Sequence, residues 1–114
     1  MQKKTKIKLS MWDIRLMTNF LLAELQNTVD IKNAGLLSII VEYWLTCVRK
    51  KQLSKGYCTI SIPYTVALCF YAFYNGRKID NEEVYLLINK ILAEIDKTID
   101  SQIRLKSFEI SEVV

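Results

Sequence analysis

The feature that most constrains the fold is the apolar stretch Asn33–Lys51, NAGLLSIIVEYWLTCVRKK. Its polar residues before the basic end are Ser38, Glu42, Thr46 and Arg49. In a helix these residues fall three or four positions apart and form one narrow stripe, so other elements or lipid must enclose the remaining apolar surface. Because Glu42 interrupts the run, which is short for a comfortable membrane span, we interpret it as the central helix of a soluble domain, at about residues 33–53.

Shorter segments before this helix predict a strand and a first helix. From Lys3 to Leu9, lysines alternate with Thr, Ile and Leu, which indicates a strand with one apolar face and lysines on its exposed side. Ser10 then precedes an apolar period, and Asp13 follows three residues later. This arrangement resembles a capping box and predicts a helix at about residues 11–28.

The segments after the central helix predict a second strand and a third helix. YCTISI at residues 57–62 alternates again and indicates a strand. Pro63 suits the first turn of a helix, because its missing N–H has no helical partner there. The helix YTVALCFYAFY follows, and Asn75 and Gly76 are predicted to end it.

The last helix is predicted to have Asp80 as its N-cap, with Glu83 completing a capping box and an apolar period continuing to Ile99. Residues 101–114 fit two interpretations. One is a strand with a bulge near Ser107 that pairs with the N-terminal strand, and the other is an extension of the helix. We favour the strand.

These elements predict an α+β protein that is predominantly helical. It has a four-helix core with two or three short strands, in the order β-α-α-β-α-α-β, with the last strand open to the helical alternative. A chain of 114 residues is expected to form one globular domain, residues 1–114. Cys47, Cys58 and Cys69 are odd in number and lie in apolar surroundings, which favours reduced thiols in a cytoplasmic protein. No apolar segment follows the N-terminal lysines, so we expect no signal peptide.

The absent residues exclude several kinds of catalytic and metal site. With no histidine in the chain, histidine-based acid–base catalysis and histidine metal sites are excluded. The sequence contains no glycine-rich phosphate-binding motif. Its densest acidic set, Asp80, Glu82 and Glu83, is explained by the start of a helix, and Glu42 shares a polar stripe. We therefore expect no enzymatic activity, no cofactor and no metal.

Two groups of residues remain as candidates for binding. Residues 1–10 carry four lysines and no acid, and residues 49–78 carry six basic residues and no acid. From these segments we take as a candidate basic patch Lys4, Lys6, Lys8, Arg49, Lys50, Lys51 and Lys55. Aromatic residues beside an exposed turn are typical interface anchors. The candidate partner-binding residues are therefore Tyr71, Tyr74, Arg77 and Lys78.

By elimination, the sequence favours a small non-catalytic protein that binds a macromolecule. It would be a toxin-neutralising (immunity-type) or enzyme-occluding inhibitor, or an accessory subunit of an assembly, as mobile elements often encode. We expect a protein partner rather than nucleic acid and no membrane. The alternative is a nucleic-acid-binding module that uses the basic segments.

Overall fold

The computed structural model describes residues 4–50 and 56–113, and the side chains of residues 4–49 and 56–98. The elements follow one another as β1 (Thr5–Ser10), α1 (Met11–Asn27), α2 (Ile31–Lys50), β2 (Tyr57–Ile62), α3 (Tyr64–Tyr74) and α4 (Glu82–Val113). Within these residues, four helices and a two-stranded antiparallel sheet confirm the predominantly helical α+β fold.

The sheet pairs β1 with β2, and its two faces differ completely in burial. Thr5 pairs with Ile62 and Ile7 with Ile60 in an antiparallel register. Thr5, Ile7 and Leu9 are buried against the helices, whereas Lys6 and Lys8 are exposed and Ser10 is half-buried. The predicted alternation is confirmed. The predicted pairing of β1 with a C-terminal strand is wrong, because residues 101–113 are helical and β1 pairs with β2 alone among the described residues.

The start of α1 confirms the predicted capping box. The Ser10 hydroxyl accepts a hydrogen bond from the backbone N–H of Asp13 at 3.0 Å, and the Asp13 carboxylate accepts one from the Ser10 N–H at 3.2 Å. These two bonds satisfy donors that a helix start leaves without helical partners. Because β1 ends at the same serine, the strand passes into the helix without a connecting loop.

The central helix α2 packs against α1 and α3. Its core face consists of Leu37, Ile40, Val41, Trp44 and Cys47. Ile40 and Trp44 are almost inaccessible, at 2% and 4% exposed. Trp44 is also anchored through its indole, whose Nε1 donates to the Thr18 hydroxyl at 2.6 Å, and that hydroxyl donates to the carbonyl of Ile14 at 2.7 Å.

The opposite face of α2 is open, and the expected polar stripe lies on it. The expectation that all of the apolar surface outside this stripe is enclosed is wrong. Ile39 is 44% exposed, and Glu42 and Thr46 are exposed beside it. By length and mean hydropathy of 1.3, the segment Ile31–Arg49 would be able to cross a membrane, with 28% of it buried. The apolar run is therefore not too short for a span. The fold itself explains the apolar residues on the core face of α2, because α1 and α3 cover them.

The last helix differs from the prediction at both ends. α4 begins at Glu82, and its cap is Asn81, whose Oδ1 accepts from the backbone N–H of Val84 at 3.1 Å. The predicted cap at Asp80 is therefore wrong by one residue. The backbone remains helical through Val113, so the favoured C-terminal strand is also wrong. Neither glycine nor proline occurs after residue 81 to end the helix.

Candidate functional site

The predicted partner-binding residues beside the α3–α4 turn do not share one exposed surface. Arg77 and Lys78 are exposed and Tyr71 is half-buried, but Tyr74 is only 1% exposed. The premise that Tyr74 is an accessible anchor is therefore wrong. Its position four residues after Phe70 already places both rings on one side of a helix, and this spacing could have revealed the burial.

Tyr74 lies in an aromatic cluster within the core. Its ring centroid is 4.7 Å from that of Phe73, 5.0 Å from that of Phe70 and 6.1 Å from that of Phe20. Its buried hydroxyl has no hydrogen-bond partner in the described part of the chain. Burial raises the pKa of Tyr74 above its ordinary value, and the charge of Glu24 raises the pKa further, whereas Arg77 lowers it. Tyr74 therefore contributes to packing and stays protonated at neutral pH.

Arg77 covers the end of α3. Its guanidinium carbon lies 4.1 Å from the centroid of the Phe73 ring, and its Nε donates to the Phe73 carbonyl at 2.9 Å. Arg77, Lys78 and Ile79 line two open clefts, with volumes of about 320 and 310 Å³. The first also contains Glu24 and Asp80, and the second contains Tyr85 and Asn89. These groups suit polar contacts, but they do not form a catalytic arrangement of nucleophile and base.

Among the helical aromatic residues whose side chains the structure describes, Trp12 is the most exposed. The Trp12 patch, as we name it, consists of Trp12, Leu16 and Leu86 with Asp13, Glu83 and Lys90 beside them, around a groove of about 250 Å³. Trp12 is 62% exposed and Leu86 is 60% exposed. The predicted binding residues do not include this surface. A signal was present, because Trp12 lies two positions before the buried Ile14 and so points away from the core side of α1.

Polar groups hold the Trp12 patch in place. The indole Nε1 of Trp12 donates to the Glu83 carboxylate at 3.3 Å, and Lys90 lies 3.9 Å from the Asp13 carboxylate. Both contacts join α1 to α4. The patch therefore has an apolar centre, a polar edge and support from two helices, which is the usual anatomy of a protein–protein interface.

A different surface covers the outer side of the sheet. The ribbon face, as we name it, consists of Lys4, Lys6, Lys8, Tyr57, Thr59 and Ser61. Its three lysines are exposed, and none has an acidic partner among the described residues. Tyr57 is 64% exposed, and the ammonium of Lys8 lies 5.3 Å from its ring centroid. The face itself contains no acidic residue.

The structure brings together only part of the predicted basic patch. Lys6 and Lys8 on β1 form one row with Lys4 directly before the strand, and Arg49 is exposed near the end of α2. The backbone of Lys50 ends that helix, but its side chain lies outside the described residues. Lys51 and Lys55 lie outside them altogether.

The other reactive groups do not assemble into a site. Within the part of the chain that the structure describes, no three His, Cys, Asp or Glu residues come close enough to hold a metal ion. No disulfide joins the three cysteines, all of which are described. Burial and then the neighbouring Cys47 raise the pKa of Tyr43 from 10.0 to about 12. Because this tyrosine is protonated at neutral pH, it offers no general base.

The fold and its surfaces define a small helical α+β protein with two exposed surfaces suited to binding. No known family model, curated protein or solved structure matches the chain. Its function is therefore inferred from the chemistry of these surfaces.

Proposed function

We propose that this chain is a non-catalytic protein that binds a protein partner through the Trp12 patch. In this role it is an inhibitor that neutralises or occludes its partner, or an accessory subunit of a larger assembly. The observation that carries the proposal is the pair of exposed apolar side chains, Trp12 and Leu86, at the centre of one surface.

The exposed indole supplies enough binding energy for such a role. A tryptophan side chain buries about 150–250 Å² when it is covered, and 62% of Trp12 is available for covering. At about 25 cal/mol per Å², covering the exposed part contributes roughly 2–4 kcal/mol. This value reaches the threshold of about 2 kcal/mol that defines a hot spot, and tryptophan is among the residues most enriched there.

The residues around Trp12 support specific binding. The hydrogen bond from its indole to Glu83 holds the ring in one orientation before binding, which lowers the entropy lost when a partner covers it. The carboxylates of Asp13 and Glu83 and the ammonium of Lys90 lie at the edge, where charges favour selectivity and fast association. The proposed compartment is the cytoplasm, which suits three cysteines without a disulfide.

The test is affinity capture followed by a binding measurement on the reconstituted pair. The tagged protein is used to capture partners from the native host, and mass spectrometry separates a protein partner from nucleic acid. We expect Trp12→Ala to weaken binding of the purified partner by at least about 30-fold, which corresponds to about 2 kcal/mol. The melting temperature should change little, because most of this side chain is already in solvent.

Tyr57→Ala is the matched control, because Tyr57 is equally exposed at 64% but lies on the ribbon face. The control variant should bind the protein partner normally. Normal binding by Trp12→Ala would exclude the patch as the interface. Equal losses in both variants would likewise contradict the proposal, because they would show that binding does not depend on this surface in particular.

A further inference from the structure

The ribbon face combines a row of lysines with an exposed tyrosine, and it shares no residue with the Trp12 patch. Lys6 and Lys8 occupy alternate positions of β1 and Lys4 directly precedes the strand, so the three lysines continue one alternation along the same side. A strand rises about 3.3 Å per residue, which places successive lysine Cα atoms about 6.7 Å apart. This interval is similar to the distance between successive phosphates along an extended single strand of nucleic acid.

The neighbouring strand adds groups that can contact bases and sugars. In the register of the sheet, Lys8 is opposite Thr59 and Lys6 is opposite Ser61. Hydroxyl side chains of this kind commonly donate to phosphate and sugar oxygens. Tyr57, opposite Ser10, is 64% exposed, and the ammonium of Lys8 lies over one side of its ring, which leaves the other side for a base.

We propose that the ribbon face binds single-stranded nucleic acid. Lys4, Lys6 and Lys8 contact successive phosphates, and a base stacks on the ring of Tyr57. A row of cations beside an aromatic platform is the usual chemistry of single-strand binding, because every unpaired base has a face available for stacking. The proposal goes beyond the proposed function, since it uses a different surface and a different class of partner.

The same observations favour a single strand over other polyanions. In a duplex the faces of the bases are covered by their neighbours, so the exposed ring of Tyr57 would have no stacking partner. An acidic peptide would pair with the lysines but would make no use of the ring as a stacking platform. The absence of acidic residues from the ribbon face leaves its positive charge uncompensated, which suits the closely spaced charges of a phosphate backbone.

The experiment measures fluorescence anisotropy of a labelled single-stranded oligothymidine at several salt concentrations. Three neutralised phosphates predict a slope of about −2 for the logarithm of the association constant against the logarithm of salt concentration. Lys6→Gln combined with Lys8→Gln should reduce this slope to about −0.7. Tyr57→Ala should weaken binding by about 5- to 150-fold, and Tyr57→Phe should retain affinity because it keeps the ring.

The matched control for charge is Lys78→Gln combined with Lys97→Gln, which removes the same two charges from exposed positions outside the ribbon face. This variant should keep most of the affinity and the slope. Melting curves confirm that each variant is folded. A matched duplex and polyglutamate serve as competitors, and both should compete weakly.

Three results would overturn the proposal. The first is a lack of binding at low salt. The second is an equal loss in the control variant, which would show that net charge alone attracts the strand. The third is competition by duplex or polyglutamate that equals competition by the single strand, since the surface would then recognise charge without unpaired bases.

Discussion

Replacing Tyr74 by phenylalanine tests whether the centre of the core contains a hydroxyl that costs stability. The ring of Tyr74 contacts Phe70 and Phe73 and would remain in place. Its hydroxyl is buried and has no partner among the described residues. Burying a polar group without a hydrogen bond costs about 1–3 kcal/mol. Tyr74→Phe should therefore stabilise the fold by about 1 kcal/mol, the lower end of this range, because relaxation of the surrounding side chains already relieves part of the cost.

Thr18→Val is the matched control, because it removes a hydroxyl that both accepts and donates a hydrogen bond. The Thr18 hydroxyl accepts from the Trp44 indole at 2.6 Å and donates to the Ile14 carbonyl at 2.7 Å. Valine has a similar shape, so packing is largely kept while the indole N–H loses its acceptor. The expected effect has the opposite sign, a loss of about 1–3 kcal/mol.

Urea unfolding followed by circular dichroism measures both changes. The transition midpoint should move up for Tyr74→Phe and down for Thr18→Val, with similar slopes for all three proteins because the surface exposed on unfolding is nearly the same. A loss of about 1 kcal/mol or more in Tyr74→Phe would refute the reasoning. It would show that the hydroxyl is hydrogen-bonded in solution, and Glu24, whose charge already affects its pKa, would be the first partner to test.

Two further predictions concern the helices. Ile40→Ala should lower the free energy of unfolding in urea by about 2–5 kcal/mol, because it opens a cavity beside α1 and α3. Ile39→Ala should cost much less, because Ile39 is half-exposed. A loss below about 0.5 kcal/mol for Ile40→Ala would show that α2 is peripheral. At alkaline pH, stability should be constant up to about pH 10 and fall towards pH 12, because the pKa of Tyr43 is about 12 and that of Tyr74 is also raised in the folded state, against 10.0 for an unperturbed tyrosine. Replacing both tyrosines by phenylalanine should flatten this fall, and an unchanged pH profile would contradict the raised values.

Local signals with a direct structural cause were readable from the sequence. Ser10 and Asp13 form the predicted capping box because both partners lie within one turn of the chain. The alternation in β1 and β2 follows from the pleat, which directs successive side chains to opposite faces. The end of α3 at Asn75 is similarly local, because Gly76 has a φ of 79° that glycine adopts without steric cost.

The errors arose where a local pattern allowed two outcomes and tertiary structure selected one. Asp80 and Asn81 are both good caps, and the sequence alone did not decide between them. Residues 101–113 alternate in part, yet they continue α4 because neither glycine nor proline after Asn81 interrupts the helix. The turn after Tyr74 favours a surface position, whereas its spacing from Phe70 favours the buried side of α3. The structure selects the buried side, where the ring of Phe20, which is distant in sequence, also packs against it from α1.

The two proposed surfaces meet at the junction between β1 and α1, and this determines which variants can separate them. Ser10 is the last residue of β1, is opposite Tyr57 in the sheet, and caps α1 through Asp13. Asp13 in turn approaches Lys90 in the Trp12 patch. A substitution at Ser10 would therefore disturb the strand register, the helix start and the patch together, and a loss of binding would not identify a surface. Trp12 and Tyr57 lie on either side of this junction and are mostly in solvent. Truncating each one alone removes one surface while leaving the hydrogen bonds of the junction in place, so the protein-binding and nucleic-acid-binding proposals can fail independently.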